Sequence, residues 1–153
     1  MNILLSIDPQ ENQTAARQIL EQLPEWFEVE TSREAYILGC ADKPVWICKE
    51  NGHTLGFLAL KETSSCTAEI YVMGVVPQLH RRGIGRALFS AFYAYAKTQG
   101  YKFLQVKTVD AGYYECYDRT RRFYESLGFA RLEVFPTLWD AANPCIVMIM
   151  HVQ

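Results

Sequence analysis

The run Val75-Val76-Pro77-Gln78-Leu79-His80-Arg81-Arg82-Gly83-Ile84-Gly85-Arg86-Ala87-Leu88 constrains this chain more than any other segment. It reads as a strand that stops at Pro77, a tight polar loop, and an amphipathic helix that opens at the glycines. The helix runs over 84–98, with Ile84, Ala87, Leu88, Ala91, Phe92 and Tyr95 recurring as one apolar stripe. Gly100 is placed to cap it in the left-handed conformation. Residues 103–109 then form a mostly apolar strand suited to a sheet interior. A helix between two strands demands a crossover connection, so the sheet is covered by helices.

The remaining segments fit the same scheme. Residues 2–7 form a short apolar strand, and 11–23 a helix with Ala15, Ala16, Ile19, Leu20 and Leu23 on one side. Pro24 ends that helix and starts a bend carrying Trp26 and Phe27. A short helix covers 31–38 and stops at Gly39. Strands 45–49 and 54–61 flank Asn51-Gly52, a strong hairpin signal, and strand 67–76 follows a Ser-rich turn. A helix over 118–127 is capped by Gly128, and strands 130–135 and 145–152 are separated by a loop at 136–144. The whole chain, 1–153, reads as a single α/β domain with a mixed sheet.

The formal charge of −2 hides a segregation. Residues 70–109 contain no Asp or Glu and carry +6, from Arg81, Arg82, Arg86, Lys97, Lys102 and Lys107, while the rest carries −8. Such a block points to an anionic ligand. Nucleic acid is not expected, because the aromatics of the block fall mostly on the core stripe of its helix. No apolar run approaches the ~20 residues of a membrane helix, and the opening residues are too short for a signal peptide, so the expected location is cytoplasmic. Five scattered cysteines without C-x-x-C spacing, and three histidines at no ligand-like spacing, read as reduced thiols with no metal site.

The anion site belongs at Gly83-Ile84-Gly85. Glycines let the backbone approach a ligand, and the first turn of the helix offers unpaired N–H groups and the positive end of its dipole. Arg81, Arg82 and Arg86 surround the same point. The dinucleotide fingerprint lacks its third glycine, since Leu88 stands there, and the Gly-Lys-Ser/Thr of a P-loop is absent.

These residues resemble the acyl-CoA-binding motif of the GNAT superfamily of N-acyltransferases. Phe123-Tyr124-Glu125-Ser126-Leu127-Gly128-Phe129 is similar to that superfamily's C-terminal motif. Leu23-Pro24-Glu25-Trp26-Phe27 and Gly56-Phe57-Leu58-Ala59-Leu60 resemble segments of its small-molecule members, so the likeness covers nearly the whole chain. It implies a mostly antiparallel mixed sheet of about seven strands with about four helices, and transfer of acetyl from acetyl-CoA directly to a primary amine. The implied acceptor is a polyamine, amino sugar or amino acid. Protein or peptide N-acetylation, and a non-catalytic acyl-CoA sensor, are the alternatives; a homodimer is compatible.

Residue by residue, the resemblance places Met73, Gly74, Val75 and Val76 along the cofactor arm, on a strand that splays from its neighbour. Gly74 also fits independently as a bulge or close approach. The pyrophosphate falls to His80, Arg81, Arg82, Gly83, Ile84, Gly85 and Arg86, with His80 standing where the family usually has Arg or Gln. Tyr124 matches the tyrosine that protonates the departing thiolate. Glu69 matches a carboxylate that often takes the amine's proton through water, with Glu115, Asp118 and Asp140 as rivals. Trp26, Phe27, Tyr113, Glu115, Tyr117, Trp139 and Asp140 are expected around the acceptor, where aromatic faces beside carboxylates suit an ammonium group. Tyr117 stands where many members carry an Asn that touches the cofactor.

Overall fold

The computed structural model describes all residues, Met1–Gln153. In chain order the elements are β1 (Asn2–Ser6), α1 (Pro9–Leu20), α2 (Glu30–Gly39), β2 (Val45–Glu50), β3 (His53–Ser64) and β4 (Thr67–Val75). A 3₁₀ turn, Pro77–Leu79, leads into α3 (Ile84–Thr98), followed by β5 (Phe103–Val109), α4 (Glu115–Leu127), β6 (Ala130–Asp140) and β7 (Asn143–His151). All seven strands form one sheet in the order β1-β2-β3-β4-β5-β7-β6. Every pair is antiparallel except β4 and β5, which α3 joins as a crossover. Asn51 and Gly52 have φ of 51° and 79°, the left-handed pair that a two-residue hairpin turn requires.

Helices cover both faces of the sheet. On one face α1 and α2 bury Ala16, Ile19, Leu20 and Ile37 against Ile47, Phe57 and Val72. On the other, α3 and α4 bury Leu88, Phe92 and Tyr124 against Leu58, Ile70, Leu104, Val106 and Met148. Phe92 is fully buried and meets Trp46 edge-on, with ring centroids 5.9 Å apart. Truncating such a ring to alanine costs about 3–5 kcal/mol. Gly74 belongs to this packing: a Cβ there would lie 2.8 Å from both Ile19 and Leu23, so the absent side chain lets α1 seat on β4.

Several boundaries differ from the sequence reading, three elements most consequentially. The expected loop at 136–144 is mostly strand: β6 reaches Asp140 and pairs with Asn143 across a tight turn. Pro136 is tolerated there because β6 is the sheet edge and its missing N–H faces no partner strand. Asp140 closes the turn by accepting from the Ala142 N–H at 3.0 Å and the Asn143 amide at 2.9 Å. The last helix begins at Glu115 rather than 118, which puts Glu115, Cys116 and Tyr117 on its first turn instead of in a loop. The first helix begins at Pro9, where Asp8 caps it by accepting the Gln10 N–H at 3.2 Å, and it ends at Leu20.

One feature of the sheet positions everything functional. β4 and β5 pair only from Thr67↔Phe103 to Ile70↔Val106. At Tyr71 the β3–β4 register shifts, with Ala59 opposite Val72 and Leu60 opposite Ile70, so Tyr71 is the extra residue of a bulge. Bulges bend the strand that carries them. Beyond it β4 stays with β3 and parts from β5, opening the sheet between them.

Candidate active site

The opening is the floor of a cleft of about 1150 Å³. Residues Tyr71 to Val75 form one side and Val106 to Val109 the other. The loop before α3 closes one end, and the bend after α1, the first turns of α4 and the tip of the β6–β7 hairpin wall the other. Past Ile70, β4 presents backbone N–H and C=O groups that β5 no longer takes.

At the loop end, Gly83 takes φ of 84° and hands the chain to α3, and Arg81 is also left-handed at 65°. No side chain caps α3 and its first turn holds no acidic residue, so the orphan N–H groups and the positive dipole end are free for an anion. Arg81 and Arg86 line the cleft here, together with Arg122 from α4. Arg86 also donates to Ser126 Oγ at 3.1 Å, bracing α3 against α4. Gly85 has its own packing reason: a Cβ would lie 3.1 Å from the Phe123 ring, which otherwise seats on the start of the helix. This end suits a phosphate-bearing anion, and the freed edge of β4 offers donors and acceptors to an amide-bearing ligand.

Tyr124 is buried on α4, packed against Phe129 at 5.9 Å between centroids, and lines the cleft. Burial pushes its hydroxyl pKa well above the ordinary phenol value, with neighbouring Tyr36 and Tyr117 adding to the effect. It therefore holds its proton at neutral pH, the state required of a general acid. Tyr117 is raised for the same first reason, burial, and donates to the Trp26 carbonyl at 2.7 Å.

Glu69 is also buried, but it stands behind the cleft wall rather than on it. Its carboxylate accepts from Gln105 at 3.1 Å and from Lys107, which does line the cleft, at 3.4 Å. One neutral partner and one cation thus hold it behind the floor: Gln105 by its amide and Lys107 by its charge.

The expected acceptor residues divide. Trp26, Phe27, Tyr117, Trp139 and Asp140 line the cleft. Tyr113 points to solvent, and Glu115 is exposed and pairs with Arg119 at 3.6 Å. Among the expected cofactor residues, Met73, Gly74, Val75, His80, Arg81, Gly83, Gly85 and Arg86 line it. Val76 and Ile84 face the core, and the Arg82 side chain is exposed away from the wall.

Several wall residues escaped the sequence reading. Tyr36 from α2 and Tyr71 from the bulge stack edge-on at 5.3 Å and deepen the acceptor end. Burial raises the Tyr71 pKa to about 12. Glu25 and Glu28 add carboxylates to that end. Arg119 and Arg122 carried a usable signal, since residues three apart share a helix face, whereas nothing local marked Tyr36 or Tyr71.

Comparison with known proteins decides the family: the model described as "Acetyltransferase (GNAT) domain" matches residues 41–131. The chain belongs to the GNAT acetyltransferases. No curated protein matches it. A GNAT-family crystal structure from Desulfovibrio desulfuricans superposes with a TM-score of 0.82 at 20% identity, covering 99% of each chain. An aminoglycoside 6'-N-acetyltransferase complexed with coenzyme A gives 0.73 at 17% identity, over 98% of this chain and 97% of that one. The ribosomal-protein-S18-alanine N-acetyltransferase of Escherichia coli gives 0.74 at 18%, over 99% and 95%. At these identities the likeness is one of fold. This GNAT chain is an acyltransferase with a seven-stranded mixed sheet and four α-helices, as the sequence motifs imply. None of its helices is long and apolar enough to cross a membrane.

Proposed function

We propose that this GNAT acetyltransferase moves acetyl from acetyl-CoA directly to a primary amine of a small molecule. The observation that carries the reading is the parting of β4 from β5 over Tyr124, with an uncapped helix end and arginines at one end of the gap. That a relative in fold, the aminoglycoside 6'-N-acetyltransferase, is complexed with coenzyme A supports the reading. The other end is closed by three segments and mixes Trp26, Phe27 and Trp139 with Glu28, Asp140 and the Glu25–Arg119 ion pair; its aromatic faces beside carboxylates suit a compact ammonium. Among fold relatives, one acts on an aminoglycoside and another on a ribosomal protein, so acceptor class is the point to test.

Each residue has a task in this reading. The α3 N-terminus with Arg81 and Arg86 holds the pyrophosphate. Freed N–H groups of β4 between Tyr71 and Val75 donate to the thioester oxygen as it gains charge. Glu69 takes the amine's proton through a water that passes Lys107. The amine nitrogen bonds to the acetyl carbon, the carbon–sulfur bond breaks, and Tyr124 delivers its proton to the leaving sulfur. Thiol release measured over a panel of polyamines, amino sugars, amino acids and peptides tests the acceptor. Turnover with a small amine supports the reading; turnover confined to peptide N-termini or protein lysines overturns it.

A further inference from the structure

His80 reaches from the cofactor loop to the acceptor wall. Its Nε2 donates to the Val75 carbonyl at 2.8 Å; because a carbonyl only accepts, that nitrogen carries the hydrogen. The same ring meets Trp26 edge-on, with centroids 5.8 Å apart and planes at 75°. Trp26 is tied further to α4, its Nε1 donating to Thr120 Oγ1 at 3.0 Å and its carbonyl accepting from Tyr117 at 2.7 Å. Thr120 lies one helical turn before Tyr124. His80, Trp26, Thr120 and Tyr124 all line the one cleft. A single aromatic contact therefore joins three parts of it: the end of the parting strand, the bend that walls the acceptor, and the helix bearing the hydroxyl.

We propose that His80 is a positioning residue that couples cofactor binding to the shape of the acceptor pocket. This rests on the acetyl-transfer reading above. Occupancy of the loop fixes the His80 ring, the ring fixes the Trp26 indole, and the indole sets the wall against which the amine packs. The amine then binds better once the loop is filled. Reciprocity requires that the amine tighten coenzyme A by the same factor. The expected coupling is roughly tenfold, equal to about 1.4 kcal/mol.

The test uses the full chain labelled with 5-fluorotryptophan, whose three resonances are assigned by Trp→Phe replacement at Trp26, Trp46 and Trp139. Free coenzyme A should shift the Trp26 resonance and leave Trp46, buried under α3, in place. In His80→Ala the Trp26 response should vanish, the Trp46 signal should confirm a folded core, and the tightening of coenzyme A by the amine should be lost. His80→Gln keeps an amide to donate to Val75 but no ring for Trp26, so it should also lose the response. Both variants should raise the amine KM roughly tenfold with kcat nearly unchanged. An undiminished Trp26 shift in His80→Ala overturns the coupling and leaves acetyl transfer standing. Collapse of coenzyme A affinity in that variant also overturns it, making His80 a direct cofactor contact. If the wild-type chain binds no coenzyme A and acetylates no amine, the underlying reading itself fails.

Discussion

At Glu69 the chemistry depends on how a carboxylate is housed. The side chain is buried and held by Gln105 and Lys107, one layer behind the cleft, so the proposed role as base runs through water. Glu69→Gln preserves the shape and the hydrogen bond from Lys107 but removes the proton acceptor. The expected result is a kcat roughly 10²-fold lower with coenzyme A affinity unchanged. A kcat close to wild type would move the role to another carboxylate. Arg86 offers a contrast at the same scale. It faces the pyrophosphate end and also reaches Ser126, so Arg86→Gln should weaken coenzyme A binding, steeply so at low salt, while leaving kcat at saturation close to wild type. Calorimetry across salt concentrations checks it.

At the level of elements, the cleft exists because β4 carries a bulge at Tyr71 and a glycine at 74. The bulge separates β4 from β5, and the glycine lets α1 lie close enough to hold β4 on its new course. Gly74→Ala would drive a Cβ to 2.8 Å from Ile19 and Leu23. Overpacking of this kind costs about 1–3 kcal/mol, to be read from the denaturant midpoint. A neutral effect would show that α1 yields freely.

What the sequence made legible follows the same division. Strand, glycine loop and α3 were readable because turn chemistry and a 3.6-residue period are local signals. Tyr124 was readable only through its motif, since a tyrosine on an amphipathic helix otherwise reads as core. The acceptor wall was half legible. Trp26 and Trp139 advertise themselves in bends, whereas Tyr36 and Tyr71 sit within regular elements and reach the cleft only through the bulge and the packing of α2. Extension of β6 through Pro136 was hidden because proline argues against a strand unless that strand is an edge. Edge position is a property of the sheet, not of the segment. In the sequence, Gly74 marks a bulge or a close approach. The approach is made by α1, and the bulge lies three residues earlier.

Over the whole molecule, part of the basic block in the sequence, Arg81, Arg86 and Lys107, lines the cleft, and Arg119 stands among the carboxylates at its other end, paired with Glu25 at 3.4 Å. Arginines gather where α3 begins, and Glu25, Glu28 and Asp140 stand at the acceptor end. The aromatic load has a second consequence for stability. Burial raises the phenol pKa of Tyr36, Tyr117 and Tyr124, so on titration the unfolded chain releases these protons first, from about pH 10. Their contribution to stability is complete below that pH and is lost as pH climbs toward the folded-state values. Thermal melts from neutral to strongly alkaline pH should show Tm falling above about pH 10, less steeply in Tyr124→Phe. Equal slopes in the two proteins would remove Tyr124 from the account of alkaline unfolding.

The central claim is that this cleft performs acetyl transfer, with Tyr124 as the acid that releases the thiol. Its most direct test pairs acetyl-CoA calorimetry with thiol-release kinetics on the wild type and Tyr124→Phe, using the best amine of the panel. The predicted result is unchanged acetyl-CoA affinity with turnover reduced roughly 10²-fold. Equal turnover in the two proteins, or acetyl-CoA binding by a wild type that turns over no amine, would contradict it.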